Sequence, residues 1–129
     1  MEFPNNLKYS KEHTWLLIEG NTGTVGITEF AQGELGEIVY VDLPSIGKQF
    51  KQDEVFGSVE AVKTTSDLFM PVGGEIIEVN SALKDNTPLV NSASFTDGWM
   101  IKIRMLNVAE ADTLLDPQAY QALVKTKPD

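Results

Sequence analysis

The stretch Gly57-Ser58-Val59-Glu60-Ala61-Val62-Lys63-Thr64-Thr65-Ser66-Asp67-Leu68-Phe69-Met70-Pro71 sets a single lysine between two strand-like runs. The nearest other lysines are Lys51 and Lys84, and the nearest charges, Glu60 and Asp67, are both acidic. "EVFGSVEAV" before the lysine and "DLFMPV" after it predict a β-hairpin with Lys63 at the tip. A four-residue loop, Val62 to Thr65, places Ala61 opposite Ser66, Glu60 opposite Asp67 and Val59 opposite Leu68. Val59 and Leu68 make a sound apolar pair, whereas facing Glu60 and Asp67 destabilise the ladder by roughly a few tenths to 1 kcal/mol. A two-residue loop at Lys63-Thr64 would demand φ > 0 of a β-branched residue. Local chemistry leaves two readings of Lys63. The simpler is an ordinary exposed lysine with freely solvated acids behind it. The other is a lysine presented for modification on a rigid base among small hydroxyl neighbours, where acylation would remove its charge and leave the acids as a mark.

Further segments extend this β pattern in both directions. "TWLLIE" (Thr14 to Glu19) and "TVGIT" (Thr24 to Thr28) flank Asn21-Thr22-Gly23, a hairpin-loop signal. "TEFAQGELG" predicts one or two helical turns with Thr28 as N-cap and Gly36 just past the end. "EIVYVDL", "EIIEVN" after Gly73-Gly74, and "WMIKIRM" read as strands. "GEIVYVDLPSIG" from Gly36 is echoed by "GEIIEVNSAL" from Gly74, through chance or through two related halves. The tail then changes period. Asn107 and Glu110 resemble a capping box, and Asp116 with Pro117 starts a second short helix. Strands first and helices last predict a mainly β (α+β) fold, a compact barrel or sandwich with a helical C-terminus.

Composition limits the chemistry. The 129 residues, 42% hydrophobic and 22% charged, suit one domain that buries about two-thirds of its unfolded surface. That unit spans residues 1–129, with a core over about 7–106 and C-terminal helices over about 107–125. A net charge of −9 without a Lys/Arg cluster argues against nucleic acid and anionic membranes as partners. The chain has no cysteine, which removes disulfides and thiolate catalysis, and its one histidine, His13, excludes a histidine-rich metal site. "MEFPNNLKYS" carries neither a signal-peptide nor a transit-peptide pattern, and a cytoplasmic location is expected.

"VEAVKTTSDLFMPVGGEIIEVN" strongly resembles the lipoyl-lysine segment of the glycine cleavage system H-protein family. "LKYSKEHTW", "VGITEFAQGELGEIVYVDLP", "LVNSASFTDGWMIKI" and "LLDPQAYQAL" resemble the same family in the same order, from about Leu7 to Leu123. The resemblance implies a flattened hybrid β-barrel, or barrel-sandwich, of the biotinyl/lipoyl-carrier type with short helices. It implies lipoic acid on Lys63 in amide linkage as a swinging arm of one-carbon metabolism. In that family the dithiolane accepts an aminomethyl group when a pyridoxal-phosphate glycine decarboxylase releases carbon dioxide. A tetrahydrofolate-dependent aminomethyltransferase unloads it, and dihydrolipoamide dehydrogenase reoxidises the dithiol. A lipoylating enzyme completes the set of implied partners. The protein would be a carrier and not an enzyme, with its reactive sulfurs on the cofactor.

Two departures stand out. The family usually has His-Glu-Trp near the start, and its glutamate is associated with holding the loaded arm. Here Thr14 lies between His13 and Trp15. Glu12, on the same face if the segment is extended, is the expected substitute. Ser94-Phe95 replaces a common Pro-aromatic pair, which affects a loop. Rival readings fit less well. Biotin carriers present Met-Lys-Met, and lipoyl domains of 2-oxoacid dehydrogenases present Asp-Lys before a flexible linker that is absent here. An H-like lipoyl donor in a relay pathway is the alternative that keeps the fold. Enzymatic acid–base roles read weakly: adjacent Asp53 and Glu54 would point to opposite faces of a strand, and the exposed pair Glu60 and Asp67 lacks a desolvated cleft. His13 reads first as a solvent-edge cap of its strand and second as an arm contact. Trp15, Phe30, Tyr40, Phe69 and Trp99 are expected in the core or the helix seam, and Gly73-Gly74 in a turn.

Overall fold

Apolar side chains at every second position pull nine strands into two antiparallel sheets. The computed structural model describes residues 3–125, so the ends of the expected 1–129 unit lie outside the described residues. Strands β1 (Lys8–Tyr9), β2 (Thr14–Glu19) and β3 (Thr22–Ile27) precede helix α1 (Glu29–Leu35). Strands β4 (Ile38–Asp42), β5 (Gln49–Phe50), β6 (Val55–Ala61), β7 (Thr65–Phe69) and β8 (Gly74–Val79) follow. Short helices α2 (Ala82–Asp85) and α3 (Leu89–Ser92) lead to β9 (Ile101–Met105), a 3-10 turn (Val108–Thr113) and helix α4 (Pro117–Lys125). One sheet runs β1-β2-β3-β9-β8-β5 and the other β4-β6-β7. They do not close into a true barrel. The mainly β fold is a flattened barrel-sandwich with short helices, as expected.

Inward residues of both sheets share one apolar cluster, with Leu16, Val25, Ile76, Ile101 and Ile103 on one side and Ile38, Val59 and Leu68 on the other. Each such side chain contributes about 1.5–3 kcal/mol when fully buried. The opposite face of β2 carries Trp15 into a second cluster with Leu7, Tyr9, Tyr120 and Val124, which seats α4 on the larger sheet. The Tyr9 and Tyr120 rings stack at 4.7 Å. Phe30 and Trp99 flank this seam, as expected, while Phe69 is half-buried. Tyr40 departs from expectation: it is 58% exposed, because it points outward from edge strand β4.

Several local readings hold and others shift. Thr28 caps α1 by accepting the Ala31 N–H, and Gly36 ends it at φ 79°. Asp116 accepts the Ala119 N–H at 2.7 Å and starts α4. The β2–β3 turn is Gly20-Asn21, not Asn21 to Gly23, because Glu19 pairs with Thr22 and Gly20 takes the left-handed φ of 64°. Asn107 caps the 3-10 turn, but Glu110 accepts the Gly73 N–H at 2.8 Å instead of closing a capping box. Gly73 and Gly74 are absent from the positive-φ glycines among the described residues. They are small for another reason: a Cβ on Gly74 would meet the Arg104 carbonyl oxygen at 2.9 Å. The echoing segments become β4 and β8, which lie in different sheets.

Candidate functional site

The β6–β7 hairpin places Lys63 at its tip, with a register different from the one expected. Glu60 pairs with Thr65, Val59 with Ser66, Ser58 with Asp67 and Gly57 with Leu68. The Ala61 N–H donates to the Thr64 carbonyl at 2.7 Å, which closes a loop of only Val62 and Lys63. Neither residue has positive φ. A tertiary bond replaces the primed-turn geometry such a short loop favours: the Val62 N–H donates to the Glu37 carbonyl at 3.0 Å. Each partner moves by two residues, so the pleat is preserved. Val59 and Leu68 still point inward, and Glu60 and Asp67 still point outward. The two acids now sit on a diagonal, which removes the directly facing repulsion.

Lys63 is exposed, and among the described residues no hydrogen bond or ion pair holds its ammonium. Its stem passes over Gly36, where an added Cβ would lie 3.5 Å from Cε and 3.9 Å from Nζ. Gly36 follows the last turn of α1, whose carbonyl end favours a nearby cation. Exposed Glu37 and Glu60 surround the tip without pairing with the lysine. The lysine is therefore the accessible nucleophilic atom of a braced tip.

Just behind the tip lies a cleft of about 250 Å³ between α1, the β1–β2 loop and the β6–β7 hairpin. Ala31, Leu35, Val59 and Leu68 supply apolar wall, and the acidic residues Glu12, Glu34 and Asp67 also line it. Glu12 does not sit on an extended strand. The Ser10 N–H donates to the Thr14 carbonyl at 2.9 Å, and His13 takes a φ of 69°, so Glu12 lies in a tight turn. That turn still delivers Glu12 and Thr14 to one cleft. Thr14 is 1% exposed; its hydroxyl lies 2.7 Å from Ser10 Oγ and donates to the Phe69 carbonyl at 3.3 Å.

His13 is half-buried rather than at the solvent edge. Its Nδ1 lies 2.8 Å from the Tyr120 hydroxyl, which lies 2.8 Å from Thr28 Oγ1. A cleft wall, the α1 cap and helix α4 thus share one hydrogen-bonded chain. Burial pushes the Tyr120 phenol up to about 12, against a smaller lowering by the Thr28 bond. The Tyr9 phenol is raised by burial first and by the neighbouring Tyr120 second. Asp53 and Glu54 form no catalytic pair: Asp53 is an exposed left-handed residue, and Glu54 Oε1 accepts the Lys51 N–H.

The residue that sequence reasoning missed is Asn91, on α3. Its Oδ1 accepts the Ile38 N–H at 3.0 Å, and its Nδ2 donates to the Gly36 carbonyl at 2.8 Å and to Gln32 Oε1 at 2.9 Å. A lone asparagine in "LVNSASF" carries no local signal for this role.

The glycine cleavage H-protein family model matches residues 7–127. The chain belongs to the glycine cleavage H-protein family. It is 53% identical over 125 residues to the glycine cleavage system H protein of Brevibacillus brevis, covering 97% of this chain and 99% of that one. The glycine cleavage system H protein of Bacteroides fragilis is 50% identical over 124 residues, covering 96% and 98%. The crystal structure of a glycine cleavage system H protein from Mycobacterium marinum superposes with a TM-score of 0.87 at 33% identity, covering 95% and 98%. Membership of the H-protein family gives the braced lysine hairpin its context. Among the described residues no helix is long and apolar enough to cross a membrane.

Proposed function

We propose that this H-protein-family chain is a carrier component of the glycine cleavage system, not an enzyme, with lipoic acid held in amide linkage on Lys63. It shuttles an aminomethyl group from a pyridoxal-phosphate glycine decarboxylase to a tetrahydrofolate-dependent aminomethyltransferase. Dihydrolipoamide dehydrogenase then reoxidises it. The observation that carries the reading is the exposed, unpaired Lys63 on a tip braced by the Glu37 carbonyl.

The residues fit an acyl group. Gly36 leaves the stem unobstructed, Thr64 and Thr65 are small, and the cleft behind them is walled by apolar side chains. In its unprotonated form, Nζ attacks the carbonyl of an activated acyl donor. The C–N bond forms, the activating group leaves with its electron pair, and the nitrogen gives up a proton. Once bound, the lipoyl group supplies a disulfide that accepts the aminomethyl carbon and becomes reduced. Glu60 and Asp67 remain on the exposed hairpin face as marks for the lipoylating enzyme and partners. Glu12 supplies the carboxylate that Thr14 lacks, and with the cleft walls it would hold the loaded arm. Thr14 in place of the family's usual glutamate favours the alternative lipoyl-relay role, and Glu12 beside it in the same cleft weakens that argument.

Intact mass of protein from its native host should exceed the sequence mass by one lipoyl group, with the group mapped to Lys63. Lys63→Arg should keep the fold and fail to restore glycine decarboxylation in a reconstituted system; restored turnover would sink the carrier assignment. Glu12→Gln should accelerate aminomethyl loss from the loaded arm, and an unchanged rate would remove Glu12 from the site.

A further inference from the structure

Among the described residues no side chain holds the Lys63 ammonium by a hydrogen bond or ion pair, so its position depends on the backbone beneath it. Two features set that backbone. The Val62 N–H hangs from the Glu37 carbonyl, and the lysine stem lies over Gly36. Both belong to the two-residue link, Gly36-Glu37, between α1 and β4. The Gly36 carbonyl and the Ile38 N–H face Asn91, while the Glu37 carbonyl faces Val62. The side facing away from the hairpin has no strand to pair with. Asn91 takes that place: its Oδ1 accepts the Ile38 N–H at 3.0 Å and its Nδ2 donates to the Gly36 carbonyl at 2.8 Å. The carboxamide stands in for a neighbouring strand on that side and so leaves the Glu37 carbonyl turned toward Val62. Its second N–H, on Gln32 Oε1 at 2.9 Å, ties the last turn of α1 to the same side chain. Asn91 itself is anchored, because the adjacent Val90 is 0% exposed in the main apolar cluster.

We propose that Asn91 is the positioning residue for acylation of Lys63, holding the Gly36-Glu37 link so that the hairpin tip and the lysine stem meet the lipoylating enzyme in one geometry. The proposal rests on the reading of Lys63 as the lipoyl site. Asn91 does not touch the lysine; it acts through Gly36 and Glu37.

Two measurements on the full chain test it. In unlipoylated protein, Asn91→Ala should speed amide exchange at Val62 by about tenfold, the scale of one lost hydrogen bond, while Ile103 in the core exchanges as before. With lipoate, ATP and a purified lipoate–protein ligase, the same variant should raise KM for the carrier by roughly fivefold to tenfold and leave kcat within about twofold. Gln32→Ala, which removes only the tie to α1, should leave Val62 exchange near the wild-type rate. Should Asn91→Ala not fold, Asn91→Asp carries the same comparison, because it keeps the acceptor for Ile38 and loses the donor to Gly36. Unchanged Val62 exchange, or an unchanged KM in a protein that is acylated, overturns the role of Asn91 and leaves the carrier reading standing. Failure of wild-type Lys63 to take an acyl group overturns the carrier reading itself, while the exchange result still reports on the link.

Discussion

Gly36 combines a φ of 79° with a ψ of −150°, a conformation that side chains oppose, and it underlies the lysine stem. Gly36→Ala is expected to destabilise the fold by about 1–3 kcal/mol, read as a lower urea midpoint, with slower acylation of Lys63. Tyr120 acts at the other end of the same region. Tyr120→Phe leaves Thr28 and His13 without their shared hydroxyl and should cost about 1–3 kcal/mol in denaturant melts. The same phenol makes stability depend on alkaline pH. Because burial raises its folded pKa to about 12, the contribution is complete below the ordinary phenol pKa near 10 and is lost as pH rises through 12. Denaturation midpoints should therefore fall between those values, and fall less steeply in Tyr120→Phe; equal slopes would remove Tyr120 as a cause. None of these links was readable locally, since Tyr120 lies 107 residues from His13. Lys63 was the reverse case: its isolation and small neighbours were visible in the chain, though they favoured mere exposure until the wider resemblance was weighed.

Elements follow the sequence where local chemistry is strong and depart where packing competes. The α1 cap pair Thr28 and Gly36, and the Asp116 cap of α4, stand where they were expected because each satisfies a helix end within a few residues. Asp116→Ala should destabilise by about 0.5–2 kcal/mol, with a thermal melt as the check, because α4 closes the Tyr9–Trp15–Tyr120 cluster. The lysine hairpin was foreseen with the wrong register. Counting outward from an assumed four-residue loop could not include the Glu37 carbonyl bound to the Val62 N–H at the two-residue turn Val62-Lys63. The tight turn that brings Glu12 to the cleft was missed for a related reason. Nothing in "KYSKEHTW" fixes His13 in a left-handed conformation until Ser10 bonds to Thr14.

At the scale of the molecule, a net charge of −9 is spread over a surface whose lysine tip is flanked by carboxylates. Such a surface steers toward basic rims on partners, and exposed pairs are screened over about 8–10 Å at physiological salt. On the proposed function, the KM of the glycine decarboxylase for the lipoylated, unloaded carrier should therefore rise with ionic strength while kcat holds. A salt-independent KM would assign docking to apolar contacts instead. By itself the sequence determined the mainly β architecture, the caps of α1 and α4 and the isolation of Lys63 between two strand-like runs, because alternation, capping and turn chemistry act over a few residues. Tertiary structure alone decided the hairpin register, the cleft that gathers Glu12, Thr14 and Asp67, and the Asn91 bonds to Gly36 and Ile38. Those depend on hydrogen bonds between segments roughly 25 to 55 residues apart, and such bonds exist only after hydrophobic burial has brought the segments together.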